Sequence, residues 1–416
     1  MGKDNKNNKI ITYAFLILLF AVFVLTPILN YRAVGSELLK TYRSLQDDKT
    51  KDKPKTLING IENAWSSNLF LQEKYVDLFG LTQRMMNKSM IYDAEKGKTV
   101  VKGDDGKLYF VSDVTDISGE DKLDNEGVIK NAEKIIALAN VYSDIDFVFV
   151  QAPFKYDERF INLPNGIVPF RNEPIDYFIE RLSQEERIDI IDLRKKIEEQ
   201  NKDYSTFFFK TDHHWTIGTA FWAYQMVAED MKEKFGYDID DDYYDSSNWE
   251  TVTYRSCFLG SQGTRTGALY AGKDDIDIIY PKYDTSFIKT YSTKNLGEKI
   301  TRQGAFEESV LENYNPEKTF YKPTYNTYLY SDCDEIVVEN KLSATDKKIL
   351  VVKDSFGIPV SAFLTTLFEE TRIVDLRYLE TGLDEYIGEY SPDAVIFIYN
   401  PGAVTSAAFF DFEGQK

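Results

Sequence analysis

The feature that most constrains this chain is an alternation of apolar strands with helices. Residues 145–152, 348–356 and 393–400 are apolar runs of the kind found in strands that are buried on both faces of a parallel sheet. Helical spacing of apolar residues occupies other segments, such as 125–141 and 215–235. This alternation predicts an α/β fold, in which a parallel sheet is flanked by helices. Ligands of such sheets bind at the carboxyl ends of the strands.

Further elements fit the same plan. Helices are predicted within 57–90 and at 174–184, 357–368 and 382–390, strands at 188–193 and 372–379, and a hairpin at 100–111 around Gly103-Asp104-Asp105-Gly106. Residues 240–345 interrupt the alternation, and they hold eight tyrosines between Tyr280 and Tyr330. We expect this insert to be β-type. Its tyrosines either pack together or stack on sugars.

The N-terminal segment is basic and then apolar. Lys3, Lys6 and Lys9 precede residues 10–29, which carry no charge. That length crosses a hydrocarbon core of about 30 Å as a helix, and the leading lysines favour a cytoplasmic N-terminus. A cleaved signal peptide is the alternative. The expected organisation is a cytoplasmic tip and transmembrane anchor at 1–30, a stalk at 31–56, and an extracytoplasmic domain at 57–416.

Composition excludes some classes of partner and site. With 49 basic and 68 acidic residues, the net charge is −19, which argues against nucleic acid as a partner. Cys257 and Cys333 are the two cysteines, and whether they pair is not decided by the sequence. Because the chain has only two histidines and no Cys-x-x-Cys, we expect no zinc site.

Both histidines lie in the stretch Thr211-Asp212-His213-His214-Trp215. An aspartate two residues before a histidine lies on the same side of an extended segment, so Asp212 could orient His214 as a general base. His213 is the less favoured candidate for the base. Two alternatives are an N-capping aspartate with two surface histidines, and a metal site like that of the DHH-type phosphoesterases. The metal site would need further aspartate and histidine ligands, and the chain has no other histidine.

A second motif supplies a nucleophile. Ser355, in VVKDSF, follows a predicted buried strand and precedes a predicted helix, which is where α/β hydrolases hold a nucleophilic serine. Its own N–H and the helix dipole would then stabilise an oxyanion. The alternative is that Ser355 is an ordinary helix N-cap.

Together these motifs resemble the DHHW family, which is related to the alginate O-acetyltransferases of the SGNH-hydrolase-like class. The similar pieces, in chain order, are the N-terminal anchor, VVKGDDGKLYF, QAPFK, KTDHHWT, and KDSFG followed by VDLRYL. The resemblance implies a permuted Ser–His–Asp triad with Ser355 as nucleophile, His214 as base and Asp212 as the orienting carboxylate.

The resemblance also implies a function. We expect a cofactor-free, extracytoplasmic SGNH-like O-acetyltransferase that passes an acetyl group through a serine ester to a cell-surface polysaccharide. The donor partner would be a separate membrane-bound O-acyltransferase. Two alternatives remain: a carbohydrate acetylesterase with the same triad, and a non-catalytic glycan-binding surface protein.

Four more residues are candidates for the site. Asn400 ends the strand two after the Ser355 strand, as an oxyanion-donating asparagine does in SGNH enzymes, although Asn400-Pro401-Gly402 also favours a turn. Lys155 could contact an anionic or sugar substrate, or be solvated. Arg377 could bind substrate or form a structural ion pair. Trp215 is the fourth, as a possible substrate contact.

Overall fold

The structure, a computed structural model, describes residues 2–46, 52–93, 97–114, 125–157, 159–167, 172–292, 299–312, 314 and 322–414. The chain divides into two compact units, Met1–Thr82 and Gln83–Lys416.

The first unit is helical. Its helices are α1 (Gly2–Leu29), α2 (Tyr31–Gln46), α3 (Lys53–Ser66) and α4 (Gln72–Met85), the last of which runs into the second unit. The predicted stalk is therefore helical over α2. Among the described residues no single helix meets the length and hydropathy criterion for a membrane span. The pair Leu19–Leu29 and Tyr31–Gln46 meets it together, with a bend of 82° between the two helices.

The second unit carries the sheets. Its strands, as far as the chain is described, are β1 (Met90–Asp93), β2 (Lys98–Lys102), β3 (Leu108–Phe110), β4 (Asp146–Gln151), β5 (Ile188–Asp192), β6 (Trp249–Phe258), β7 (Asp274–Pro281), β8 (Phe287–Tyr291), β9 (Ile300–Gly304), β10 (Glu335–Asn340), β11 (Lys348–Lys353), β12 (Glu370–Val374) and β13 (Ala394–Tyr399). Its helices over the same ranges are α5 (Val111–Val114), α6 (Asn125–Val141), α7 (Glu173–Ser183), α8 (Leu193–Glu199), α9 (Ile217–Glu233), α10 (Gly263–Thr266), α11 (Ala268–Ala271), α12 (Phe306–Ser309), α13 (Gly357–Leu364), α14 (Leu383–Tyr390) and α15 (Pro401–Val404).

The main sheet has eight strands in the order β5-β4-β13-β11-β12-β10-β8-β9. The first five are parallel, as the alternation predicts. The last three pair antiparallel, so the sheet is mixed and the expectation of a parallel sheet is only partly correct. The difference has a local reason, because β10 alternates half-buried and buried residues, a pattern that suits an antiparallel strand near a sheet edge.

Both faces of the parallel part are covered. Phe147 and Phe149 of β4 pack in one apolar cluster with residues of α6, α7 and α14. Val148 and Val150, which alternate with them, pack in a second cluster with residues of α9 and α13. Since successive side chains of a strand point to opposite faces, a strand covered on both sides must be apolar throughout.

The remaining strands form two smaller sheets. β1, β2 and β3 are antiparallel, and the β2–β3 hairpin turns around Gly103–Gly106 as predicted, with Gly106 at φ +78°. β6 and β7 of the insert pair with each other, whereas β8, β9 and β10 extend the main sheet. The insert is therefore part of the central architecture. Cys257 and Cys333 are free thiols.

Candidate active site

The residues that follow the parallel strands meet at one edge of the main sheet. Ser355 follows β11, Asn400 follows β13, and Lys155 comes shortly after β4. The segment with Asp212 and His214 lies just before α9, which is packed against α13 beside Ser355. Parallel strands place their carboxyl ends together, so residues far apart in sequence share this edge.

Three side chains form a continuous hydrogen-bonded chain. His214 Nε2 lies 2.8 Å from Ser355 Oγ, and His214 Nδ1 lies 2.6 Å from Asp212 Oδ1. Asp212 and His214 are buried, whereas Ser355 is half-buried. This is the geometry in which a carboxylate orients an imidazole so that its other nitrogen takes a proton from a serine.

The Asp212 carboxylate is fixed by backbone donors as well. Its Oδ1 accepts the His214 N–H at 3.0 Å, and its Oδ2 accepts the Ser261 N–H at 2.6 Å. Burial alone would raise the pKa of Asp212, but the His214 ring and these donors hold it well below its usual value. Asp212 is therefore an anion at neutral pH, which suits a group that stabilises an imidazolium.

The Thr211–Trp215 segment is held at both ends. Asp274 accepts the backbone N–H groups of Lys210 at 2.7 Å and of Thr211 at 2.8 Å. The Thr216 side chain accepts the Thr219 N–H and so caps α9. This explains why His214 sits immediately before a helix without being part of it.

Asp354 fixes the other side of the nucleophile. Its carboxylate accepts a hydrogen bond from the Phe356 N–H at 2.8 Å. It also accepts two from Asn400, one from the backbone N–H at 2.7 Å and one from the side-chain Nδ2 at 2.6 Å. Burial raises the pKa of Asp354 to about 6, although these donors oppose the shift. The Ser355 N–H donates to no acceptor within the described residues, which leaves it available to an oxyanion.

His213 occupies a different position from its neighbour. Its Nδ1 lies 2.8 Å from Ser261 Oγ, and its side chain lines a cavity. Burial and the adjacent His214 lower the pKa of His213 to about 3, so it is neutral in the physiological range. The structure thus brings His214, rather than the alternative base His213, to Ser355.

The Asn400 side chain forms hydrogen bonds on both of its polar atoms. Asn400 Oδ1 accepts the N–H groups of Gly402 and Ala403 and caps α15, while its Nδ2 donates to Asp354. This arrangement combines the predicted turn with a position beside the nucleophile. The oxyanion role of Asn400 stays a prediction.

The Lys155 ammonium is buried behind the triad. It donates to the Leu108 carbonyl at 2.6 Å, to the Asp212 carbonyl at 2.7 Å and to Gln262 Oε1 at 3.0 Å. Burial lowers its pKa to about 7, against the opposing effect of Asp212. Lys155 is therefore not the solvated lysine that the sequence allowed. Its contacts join three segments of the site.

The two other candidates for substrate contact have structural partners. Arg377 pairs with Asp375 at 2.6 Å and with Asp332 at 3.1 Å, which is the ion-pair alternative. Trp215 is fully buried, and its indole N–H donates to Tyr325 Oη at 3.0 Å and to the Phe356 carbonyl at 3.1 Å. A side chain without exposed surface cannot touch substrate, so the expectation for Trp215 is wrong.

A cavity of about 310 Å³ is lined in part by His213 and Phe356, the sequence neighbours of His214 and Ser355. Its lining combines aromatic and polar side chains, including Phe110, Phe154, Phe409, Lys98, His213 and Asn400. A larger cavity of about 520 Å³ lies at the opposite edge of the sheet, around the starts of β11 and β12. The smaller cavity is the candidate binding site, because His213 and Phe356 in its wall are adjacent in sequence to His214 and Ser355.

Three adjacent residues of the candidate site could in principle bind a metal ion. Asp212, His213 and His214 place ligand atoms within 4.8 Å of one another. Both ring nitrogens of His214 already have partners, Asp212 and Ser355. A metal ion would have to displace one of them, so the arrangement favours a triad over a metal centre.

Several residues of the site escaped the sequence analysis. Ser261, Asp274 and Tyr325 belong to the insert, and each reaches the Thr211–Trp215 segment across a long stretch of chain. The paired glycines Gly260 and Gly263 were an available signal. A Cβ on Gly260 would lie 2.2 Å from the Asp212 Cβ, so that close approach requires glycine.

Comparisons with known proteins agree with this architecture. Residues 144–259 match the family model described as SGNH hydrolase-like domain, acetyltransferase AlgX. Among solved structures, Bacillus cereus PatB1 is 22% identical with a TM-score of 0.60, over 76% of this chain and 99% of PatB1. PatB1 carrying a sulfonyl adduct is equally similar.

A DHHW family protein from Eubacterium siraeum is 18% identical with a TM-score of 0.55, over 79% of this chain and 99% of that protein. No curated protein matches the sequence. These likenesses to solved structures show the fold. With the matched family model, they confirm the resemblance predicted from the motifs: residues 144–259 are similar to an SGNH hydrolase-like domain.

Proposed function

We propose that this protein is an O-acetyltransferase that moves an acetyl group, through an ester on Ser355, to a hydroxyl of a cell-surface polysaccharide. The observation that carries the proposal is the Asp212–His214–Ser355 chain, with contacts of 2.6 and 2.8 Å, in an SGNH hydrolase-like fold. The description of the matched family model, which names an acetyltransferase, favours acetyl as the group transferred.

The chemistry follows from the contacts. His214 Nε2 takes the Ser355 proton as Oγ attacks the acetyl carbonyl, and the Ser355 N–H at the start of α13 stabilises the oxyanion. As the tetrahedral intermediate collapses, the donor's alkoxide leaves with the proton from His214. The reverse sequence then transfers the acetyl group: His214 deprotonates an acceptor hydroxyl, which attacks the serine ester and regenerates Ser355.

The alternative acceptor is water, which would make the protein an acetylesterase with the same triad. The full chain should be incubated with a small acetyl ester, with and without a panel of oligosaccharides, and the products weighed by mass spectrometry. We expect acetylated oligosaccharide that is absent with Ser355→Ala. Free acetate alone, at a rate no oligosaccharide changes, would assign hydrolysis instead.

We further propose that residues 10–29 anchor the protein in the membrane and that the domain lies outside the cytoplasm. The support is the uncharged stretch of twenty residues preceded by three lysines. In that position the donor would be a membrane-bound O-acyltransferase. Protease added to intact cells freed of any wall should digest the chain after about Tyr31. Full protection, with digestion only after lysis, would place the domain in the cytoplasm.

A further inference from the structure

Tyr325 lies flat against the proposed base. The ring centroids of Tyr325 and His214 are 3.9 Å apart and their planes are inclined by 9°. Two other rings near His214, those of His213 and Phe356, are inclined by 38° and 52°. The near-parallel contact therefore distinguishes Tyr325 from these neighbours.

The buried Tyr325 side chain is also hydrogen-bonded through its hydroxyl. Tyr325 Oη accepts the Trp215 indole N–H at 3.0 Å and donates to the Phe356 carbonyl at 3.3 Å. These partners flank the two reactive residues in sequence, since Trp215 follows His214 and Phe356 follows Ser355. The side chain is also buried, at 4% exposure, so it is shielded from substrate. Any influence on the reaction therefore passes through the residues that Tyr325 contacts, of which His214 is the one that takes part in the proposed chemistry.

The face of an aromatic ring attracts a cation. In the proposed mechanism His214, which is a buried side chain, becomes an imidazolium in both transition states. A tyrosine ring at stacking distance stabilises that charge more than it stabilises the neutral ring. It also restrains the imidazole from rotating away from Ser355 Oγ. The stabilisation of the charge increases in the transition state, which is the condition for a contribution to rate, and the restraint keeps the ring oriented for proton transfer.

We propose that Tyr325, contributed by the tyrosine-rich insert, is a positioning residue that holds the His214 ring and stabilises its protonated form. The insert is thus part of the catalytic apparatus. This inference rests on the proposed function of the triad, and it predicts an effect on kcat rather than on KM.

A pH profile of the variants has to be interpreted against the charged and titratable groups around His214. Asp212 and His213 lie on its own segment, Lys155 lies behind Asp212, and Asp354 lies beside Ser355. Asp212 and His213 have their pKa values lowered, His213 to about 3, so neither titrates near neutral pH. Asp354, with a pKa of about 6, and Lys155, with a pKa of about 7, are present in every variant below, as is Asp332, whose charge acts on Tyr325. The test therefore compares the midpoints of variants with one another.

The experiment compares ring and hydroxyl at position 325. Tyr325→Phe keeps the aromatic face and loses the two hydroxyl contacts, while Tyr325→Leu loses both. For Tyr325→Leu we expect kcat for a small acetyl ester to fall about 3- to 30-fold at constant KM. The midpoint of the acidic limb of the kcat/KM profile should fall by about 0.5 to 1 pH unit. Tyr325→Phe should keep kcat and the midpoint of the acidic limb close to their wild-type values.

Tyr328→Leu is the matched control. Tyr328 is a fully buried tyrosine of the same insert, whose hydroxyl bonds to the backbone of Ile279 rather than to the triad. Its loss should lower stability but leave the acidic limb in place. A Tyr328→Leu variant that shifts the limb as far as Tyr325→Leu would overturn the proposal, as would a Tyr325→Phe variant as impaired as Tyr325→Leu.

A second series does not depend on a cavity-forming variant folding. Phenylalanines with increasing ring fluorination at position 325 keep the shape and progressively weaken the attraction of the ring face for a cation. We expect log kcat and the acidic midpoint to fall steadily along the series, and a flat series would refute the role of the ring. Ser355→Ala is measured alongside. If it retains turnover, the proposed function fails, whatever the Tyr325 variants do.

Discussion

At the scale of single residues, His213 and His214 are neighbours in sequence with different chemistry. His214 links Asp212 to Ser355, whereas His213 contacts Ser261 and borders the cavity. With its pKa lowered to about 3, His213 cannot exchange a proton usefully near neutral pH. The segment is bent rather than extended as the sequence suggested. The difference follows from this turn, in which Asp212 Oδ1 accepts the His214 N–H and also lies 2.6 Å from His214 Nδ1, against 3.7 Å from His213 Nδ1.

The two histidines should therefore respond differently to substitution. His214→Ala should lower turnover of an acetyl ester by roughly 10²- to 10⁴-fold, the usual range for a general base. His213→Ala should cost less than about 10-fold. Because a triad acts as a unit, adding His214→Ala to Ser355→Ala should cause no further loss. Equal losses at the two histidines, measured as kcat/KM, would contradict this assignment.

At the scale of elements, the loop between β6 and α10 holds the triad carboxylate. Ser261 donates its N–H to Asp212, and Gly260 lies so close that a Cβ there would be 2.4 Å from Asp212 Oδ2 and 2.6 Å from its Cα. That contact involves backbone as well as side chain. A methyl group could be accommodated only if the loop and Asp212 moved apart.

Gly260→Ala should consequently lower kcat/KM by about 10²-fold or more, since a displacement near 1 Å has that effect on catalytic groups. The matched control is Gly218→Ala, in the first turn of α9, where the nearest atom to a new Cβ is 4.0 Å away and the residue is exposed. It should leave activity unchanged and raise stability by at most about 1 kcal/mol. Comparable activity in the two variants would show that the loop does not position Asp212.

The same elements show what the sequence could predict. Helix α6 and strands β4, β11 and β13 have uniform local patterns, and they lie where those patterns placed them. Asp212, His214 and Ser355 follow from two short motifs and the rule for parallel strands. The contacts of the insert could not be predicted this way. Tyr325 is 111 residues after His214 in the chain, and no local sequence pattern around either residue predicts that their rings are in contact.

At the scale of the whole molecule, Lys155 is the point where three parts of the second unit meet. Its ammonium contacts the β2–β3 hairpin region through Leu108, the Thr211–Trp215 segment through Asp212, and the insert through Gln262. Burial lowers its pKa from 10.5 to about 7. Between these values the unfolded chain binds a proton that the folded chain has released, so stability rises with pH across this interval.

This dependence should disappear in Lys155→Met, which keeps much of the side-chain volume without the charge. Urea unfolding of the full chain at pH 7.5 and 9.5 gives the difference in unfolding free energy between wild type and variant. The unfolding free energy of wild type minus that of Lys155→Met should be about 2 to 3 kcal/mol larger at pH 9.5 than at pH 7.5. A difference that does not vary with pH would mean that Lys155 is not buried as a titrating group.

In the proposed mechanism Ser355 carries the acetyl group as a covalent ester. This step is tested most directly by mixing the full chain with an excess of a small acetyl ester, quenching in acid at short times, and locating any added acetyl group by mass spectrometry of the intact chain and its peptides. We predict one acetyl group on the peptide that contains Ser355, present in wild type, absent in Ser355→Ala, and formed far more slowly in His214→Ala. An acetyl group that forms at the same rate in Ser355→Ala, or one found only on another residue, would contradict the account.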